Sequence, residues 1–214
     1  KEITAETTFK ADGFEGTVEV EFTFDGVDLA GRHLVAFETM EYEDKEYMVH
    51  ADIEDVDQTV NVIDIHTTAT NPETGDNTGL IADRLDLVDV VAYEVLAPGK
   101  TYELVGHLID SEDGDLVLDK DGIAYISIVK FTPESPDGTI EVPFRIDSTD
   151  MAGKTTVFTE YLHDENGNTV ATHEDKDDEG QSIHFADIHT NAVDAADGDK
   201  NVLATEKAKV VDTV

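Results

Sequence analysis

The sequence predicts an all-β fold of the sandwich type laid out as tandem repeats, on three observations: alternating apolar and polar residues, turn pairs at regular spacing, and a long internal match. The match sets the layout. Gly16-Thr17-Val18-Glu19-Val20 recurs as Gly138-Thr139-Ile140-Glu141-Val142, and Leu29-Ala30-Gly31 as Met151-Ala152-Gly153, at an offset of 122 residues. One extra residue in the hairpin Asp164-Glu165-Asn166-Gly167-Asn168 makes the offset 123 afterwards, where His50 maps to His173, Gln58 to Gln181, and Asp64-Ile65-His66-Thr67 to Asp187-Ile188-His189-Thr190. A period of this length is one domain. Its phase predicts one complete unit over residues 63–185, preceded by the C-terminal part of a unit (1–62) and followed by the N-terminal segment of another (186–214), as in a piece cut from a longer array.

In chain order, each element follows from its local pattern. Thr17 to Phe24 puts Val18, Val20, Phe22 and Phe24 on one face, which predicts a half-buried strand. Ile65, Thr67 and Ala69 share a face of the strand that opens the complete unit, so a threonine stands where a core residue belongs. Asn77 to Val90 is the least strand-like stretch and reads as loop with a short helical turn. Thr101 to Leu108 alternates again, less cleanly. Pro143, inside Ile140 to Ile146, cannot donate to a ladder and so marks an edge strand or a bulge. Turn pairs punctuate these strands at Pro98-Gly99, Asp113-Gly114, Asp121-Gly122, Asp137-Gly138 and Asn166-Gly167. After His173, the run Glu174-Asp175-Lys176-Asp177-Asp178 is too polar for a buried strand and reads as a loop returning the chain to the sheet near Gln181.

Composition excludes several classes of function. The 214 residues hold 14 Lys+Arg against 50 Asp+Glu, a formal charge of -36, which repels nucleic acid and anionic membrane, so neither is a partner. The acidity reads as a solvating, self-repelling surface that keeps an array extended, and it equally suits a high-salt habitat. Cysteine is absent, which removes disulfides, thiolate metal sites and cysteine nucleophiles. No apolar run approaches the roughly 20 residues of a membrane span, and the reading puts any secretion or anchoring signal outside this sequence. No phosphate-binding glycine loop, Ser-His-Asp motif or paired-carboxylate cleft is present, and no cofactor is assigned. The acidic segments Asp110 to Asp115 and Asp164 to Asn168 imitate calcium loops but lack the closing glutamate and suit hairpin turns, so no metal is assigned either.

Four separated motifs then fall in one order: Leu34-Val35-Ala36-Phe37-Glu38; His50-Ala51-Asp52 with Gln58-Thr59-Val60; Asp89-Val90-Val91-Ala92-Tyr93; and Leu96-Ala97-Pro98-Gly99-Lys100-Thr101-Tyr102. Together, and over essentially the whole chain, they resemble the VaFE-repeat surface proteins of Gram-positive bacteria, whose domains are also called Thr-Gln ester-bond domains. The resemblance implies tandem immunoglobulin-like sandwiches, in each of which a threonine on the first strand attacks a glutamine side-chain amide on the last and expels ammonia. It implies Thr67 as nucleophile and Gln181 as electrophile, with Asp89, Glu160 and His173 assisting. A neutral hydroxyl and an unactivated amide need a base and an oxyanion donor. His173 is the expected proton acceptor, and two buried carboxyls should share a proton, leaving one to donate to the Gln181 carbonyl. Thr68 is the rival nucleophile; Thr67 is preferred because the next unit keeps Thr190 at that phase but has Asn191 where Thr68 would fall.

The flanking units are partial sites: Glu38, His50 and Gln58 lack a threonine, whereas Thr190 and Asp212 lack a glutamine. An ester between Thr190 of one copy and Gln58 of another is the alternative for them, though strands equivalent to 92–122 would be missing. The complete unit departs from the family pattern at Val157-Phe158-Thr159-Glu160, where Thr159 takes the phenylalanine position and puts local packing in question. His66 and His189 alternate away from Thr67 and read as exposed. The function implied is a non-enzymatic stalk repeat of an extracellular, cell-wall-anchored adhesin or fibre. Its partners are neighbouring repeats, with any host-surface ligand met through a region outside this sequence. The alternative is a module that binds a host protein or glycan, against which tryptophan is absent and aromatics are only 7%. Singly, a strand threonine or a solvated glutamine is ordinary; the recurring set is what carries the expectation.

Overall fold

In the computed structural model, which describes residues 2–214, one unit takes the residues up to Asp64 together with Tyr93–Gly99 and Pro133–Gly138. Strand β1 (Arg32–Val35) lies antiparallel to a strand farther on, β2 (Glu38–Tyr42) forms a hairpin with β3 (Lys45–His50), and β4 (Thr59–Val62) is the partner of β1. The β2–β3 hairpin turns through Glu43 and Asp44, both at positive φ (51° and 58°), which matches the right-handed twist of paired strands. A single 3-10 turn, Val56–Gln58, precedes β4, and the Asp55 carboxylate caps it by accepting from the Asp57 N–H.

The expected half-buried strand at Thr17–Phe24 is not found: residues 2–25 form no strand, and Val18, Val20, Phe22 and Phe24 are exposed. The alternation is real, but alternation only buries a face when a partner sheet covers it. Its repeat equivalent at 138–146 has that cover, pairing with a strand at 85–94.

The second unit comprises Ile65–Ala92, Lys100–Thr132 and Thr139–Val214. Its strands are β5 (Asp64–Thr70), β6 (Thr78–Gly79), β7 (Leu85–Glu94), β8 (Tyr102–Asp110), β9 (Ile126–Phe131), β10 (Gly138–Ile146), β11 (Thr155–His163), β12 (Thr169–His173) and β13 (Ser182–Phe185). They make a three-stranded sheet in the order β10-β7-β5 and a six-stranded sheet in the order β6-β13-β11-β8-β9, with β12 also on β11. The all-β sandwich is therefore as the alternation predicts. Its two sheets meet through Phe144 of β10 and Phe158 of β11, whose ring centroids lie 4.6 Å apart. They approach so closely at Gly106 of β8 that a Cβ there would stand 2.9 Å from the Phe144 ring. Leu87, Val91, Leu104, Leu108, Val142 and Leu162 fill the space between.

The structure departs from one expectation in this region and agrees with another. Asn77–Val90 holds no helical turn; β6 and then β7 occupy it, with Leu85, Leu87, Asp89, Val91 and Tyr93 all buried. A buried aspartate interrupts an otherwise regular apolar alternation, which is why the stretch reads poorly from sequence. Pro143 is exposed on β10, the edge strand, where its missing N–H costs no ladder bond. The second edge of β11 is shared: β13 pairs with its start, Thr155–Val157, and β12 with its end, Glu160–His163. A 3-10 turn, Glu179–Gln181, joins β12's loop to β13 and so drops Gln181 between the two pairings. Beyond β13, β14 (Asn191–Asp194) and β15 (Val210–Thr213) form an antiparallel pair, with Ala192 opposite Asp212.

Candidate functional site

Five side chains expected to act together converge on one buried space of the second unit. Alternation along β5 turns Ile65, Thr67 and Ala69 inward and leaves Thr68 exposed. The same periodicity on β7 buries Asp89 completely, and on β11 it buries Glu160 completely. His173 ends β12 directly opposite Glu160, and Gln181, also without exposure, hangs from the 3-10 turn. Gln181 Nε2 donates to Glu160 Oε2 at 3.0 Å. Thr67 and Asp89 come from the three-stranded sheet, Glu160 from the six-stranded one, so the space lies between the layers.

This space is underfilled with hydrogen bonds. Thr67 Oγ1, both Asp89 carboxyl oxygens, Glu160 Oε1 and Gln181 Oε1 are buried without a well-formed partner. Each such atom costs about 1–3 kcal/mol, and an ordinary core does not collect five in one place. Electrostatics follows from the same crowding. Burial raises Glu160 far above the carboxylate range, and the adjacent Asp89 carboxylate raises it further. Burial raises Asp89 too, but Glu160, the charge of His173, the Thr68 N–H and the nearby Thr67 hydroxyl all pull it back. Two carboxyls raised by the same burial and set against each other hold one proton between them.

The His173 ring is held at both nitrogens. Nδ1 lies 3.2 Å from the Ile65 carbonyl oxygen and Nε2 lies 3.1 Å from Asp178 Oδ2. Both neighbours only accept, so each ring nitrogen makes its bond only as an N–H donor. Nothing in the sequence reading singled out Asp178, which was one acid in a polar run. The available signal was positional, since Asp55 and Asp178 each stand three residues before the glutamine of their repeat.

The first unit assembles the matching partial site. Glu38 of β2 lies opposite His50 of β3, as Glu160 lies opposite His173. Gln58 Nε2 donates to Glu38 Oε2 at 2.9 Å and meets His50 Nδ1 at 2.9 Å, and Gln58 Oε1 is again a buried oxygen without a partner. Thr190 and Asp212 are both exposed, Thr190 just before β14 and Asp212 on β15. His189 is exposed and pairs with Asp187, while the exposed His66 sets its ring edge-on to His173, with centroids 6.2 Å apart. Thr159 is buried opposite His107, so the departure from the family pattern is absorbed inside the six-stranded sheet.

The acidic turns are self-contained. Asp110 Oδ1 accepts from the Glu112 N–H, and Asp164 Oδ1 accepts from the N–H groups of Asn166 and Asn168. The Asn168 side-chain amide, which donates to Asp164 Oδ2, and then those backbone bonds hold the Asp164 carboxyl below its ordinary range. Among the described residues, no group of three or more His, Cys, Asp or Glu is arranged to hold a metal ion.

The chain matches the family described as "T-Q ester bond containing domain" along residues 1–62, 63–185 and 186–214. No curated protein matches it significantly. Among solved structures it is similar to an adhesin from Mobiluncus mulieris that contains intramolecular disulfide, isopeptide and ester cross-links. In one crystal form the TM-score is 0.51 at 13% identity, covering 63% of this chain and 61% of that one. In a second form the TM-score is 0.48 at 15% identity, covering 63% and 60%. The chain thus spans about three fifths of the adhesin's length, and the likeness extends to the fold.

Proposed function

Because the chain belongs to the T-Q ester bond containing domains, a family of structural cross-linked domains and not of enzymes, we propose that the complete repeat closes an ester from Thr67 to Gln181 and serves as a stalk unit of a bacterial surface adhesin or fibre. The observation that carries the reading is the set of five unpartnered polar atoms shared by Thr67, Asp89, Glu160 and Gln181. Unmet hydrogen bonds at a buried hydroxyl and a buried amide are a cost that a covalent bond between them relieves.

In the reaction, Asp89 takes the Thr67 proton as the oxygen attacks Cδ of Gln181. His173 is the acceptor expected from the sequence; both of its nitrogens face acceptors, whereas the Asp89 carboxyl is buried beside the hydroxyl. Protonated Glu160 is the donor for the developing oxyanion. It meets the carbonyl oxygen once the Gln181 amide is turned over, an exchange of two nearly isosteric ends. Ammonia leaves. The Mobiluncus adhesin, with its own ester cross-links, supports a place at a bacterial surface.

Intact mass is the test. The folded chain is expected to weigh about 17 Da less than its sequence, the mass of ammonia, with Thr67→Ala abolishing the loss and Thr68→Ala keeping it. A folded wild-type chain at its full sequence mass refutes the reading.

A further inference from the structure

We propose that a cavity of the second unit, between the end of β8 and the start of β11, binds an alkylammonium group, a primary amine on an aliphatic stem, with the Thr156 hydroxyl at its base and aspartates at its mouth. The site shares no residue with the Thr67 and Gln181 cluster and does not depend on an ester forming.

The cavity measures about 310 Å³, at the small end of the roughly 300–1,000 Å³ that ligand sites occupy. Alternation along β11 puts Thr156 on the inward face with Phe158 and Glu160, and Asp110 of β8 lies directly opposite it. Thr156 lines the cavity and is only 1% exposed, and its Oγ1 is buried without a hydrogen-bond partner. Every other buried side-chain atom without a partner, among the described residues, belongs to Thr67, Asp89, Glu160, Gln181 or the equivalent Gln58. Thr156 therefore calls for an explanation of its own. Valine would fill the same space without the cost of an unmet hydroxyl.

The lining fixes the class of ligand. Six aspartates face two lysines around the cavity, so its field attracts a cation. Among the described residues no group of His, Cys, Asp or Glu is arranged to hold a metal ion, which leaves the organic cations. Asp110, Asp113, Asp119 and Asp147 each spend Oδ1 on an N–H of their own turn, so each keeps one oxygen for a ligand. A planar guanidinium is matched by both oxygens of one carboxylate, whereas single oxygens from separate groups match the three N–H bonds of an ammonium. Two of those bonds fall to carboxylates and the third to Thr156 Oγ1. Lys154 Nζ stands 3.7 Å from Asp110 Oδ2, too far for a hydrogen bond, and is half exposed, so it leaves that oxygen unsatisfied. The Thr149 hydroxyl and then its N–H hold the Asp147 carboxyl below its ordinary value, with a smaller pull from Lys120, so the anion persists at neutral pH. Val117, Leu118 and Met151 supply apolar wall for the stem. A lysine side chain of a partner protein and a free polyamine share this chemistry.

The test titrates the full-length chain with 1,5-diaminopentane and with an acetylated, amidated Gly-Lys-Gly peptide, in about 0.15 M salt to screen the general surface charge. Tetramethylammonium, a cation without N–H bonds, is the control. Backbone amide shifts should saturate in the segments 110–125 and 147–156 with either amine and not with the control. Thr156→Val leaves the net charge unchanged; it should raise the melting temperature of the empty chain and weaken amine binding about tenfold or more. Thr156→Ser and the distant Asp164→Asn should bind as wild type. Asp147→Asn, which keeps its turn bond, should bind more weakly and so gives a second variant. A tighter diamine names a free polyamine as the source and a tighter peptide names a partner's lysine, and either supports the site. Shifts that spread over the acidic surface without saturating, an equal response to tetramethylammonium, or wild-type affinity in Thr156→Val reduces the cavity to solvating surface and overturns the proposal. The Thr67→Ala chain should bind equally well, so failure of the ester reading is read separately.

Discussion

Asp89 and Glu160 give the uncross-linked repeat a pH dependence whose sign follows from burial. Glu160 has its carboxyl raised above the ordinary value of 4.5 by burial and by Asp89, so the folded state keeps a proton that the unfolded chain releases. Stability from such a group is fully present below the unfolded value and is lost as pH climbs toward the folded one. In a Thr67→Ala chain, urea unfolding between about pH 5 and pH 8 should show stability falling by up to about 1.4 kcal/mol per pH unit from this proton, a share that Glu160→Gln removes. Equal slopes with and without Glu160→Gln would show that no proton is held there. The residues of the site differed in how readable they were. Thr67 stood out as a polar residue on an apolar face, and His173 and Gln181 stood out because their spacing recurs at His50 and Gln58. Asp178 did not, because its place beside His173 depends on which carboxylate of an acidic loop folds back onto the ring, a choice made by the 3-10 turn and not by composition.

Strand β11 organises the repeat, since it pairs with β8 along one edge and with β13 and β12 in turn along the other. Phe158 sits on it without exposure and carries the ring contact to Phe144. Phe158→Ala should cost about 3–5 kcal/mol in the Thr67→Ala background, read as a lower melting temperature, because little in a two-sheet core can move to fill the hole. A loss under 1 kcal/mol would show that the layers are not packed through this ring. Elements were legible where period and partner agreed, as for β5, β8 and β10. Legibility failed in opposite ways at two places. At β7 a buried acid hid a true strand, and at Thr17–Phe24 a true alternation had no partner to complete it. Pattern reports what a face is suited to bury, and the ladder reports what is there to bury it.

Across the second unit, an ester from Thr67 to Gln181 encloses 114 residues of chain. By the chain-entropy account developed for disulfides, closing a loop of that size contributes on the order of 4–5 kcal/mol, less any strain. The mechanical effect is larger in kind. Under tension, Thr67→Ala should yield an added contour-length step of about 400 Å as the enclosed residues extend, whereas the cross-linked chain should show none. Single-molecule pulling decides this, and an identical step in both chains would mean that no bond bridges the two strands. The placement of the two reacting residues, one on the opening strand and one on the closing turn, has a further consequence for biosynthesis. A ribosome that stalls before residue 181 leaves a hydroxyl with no amide to attack, and a misregistered sheet leaves the two apart. A covalent seal between them would thus serve as a proofreading mark, stamped only on repeats synthesised through to their final strand and folded in register.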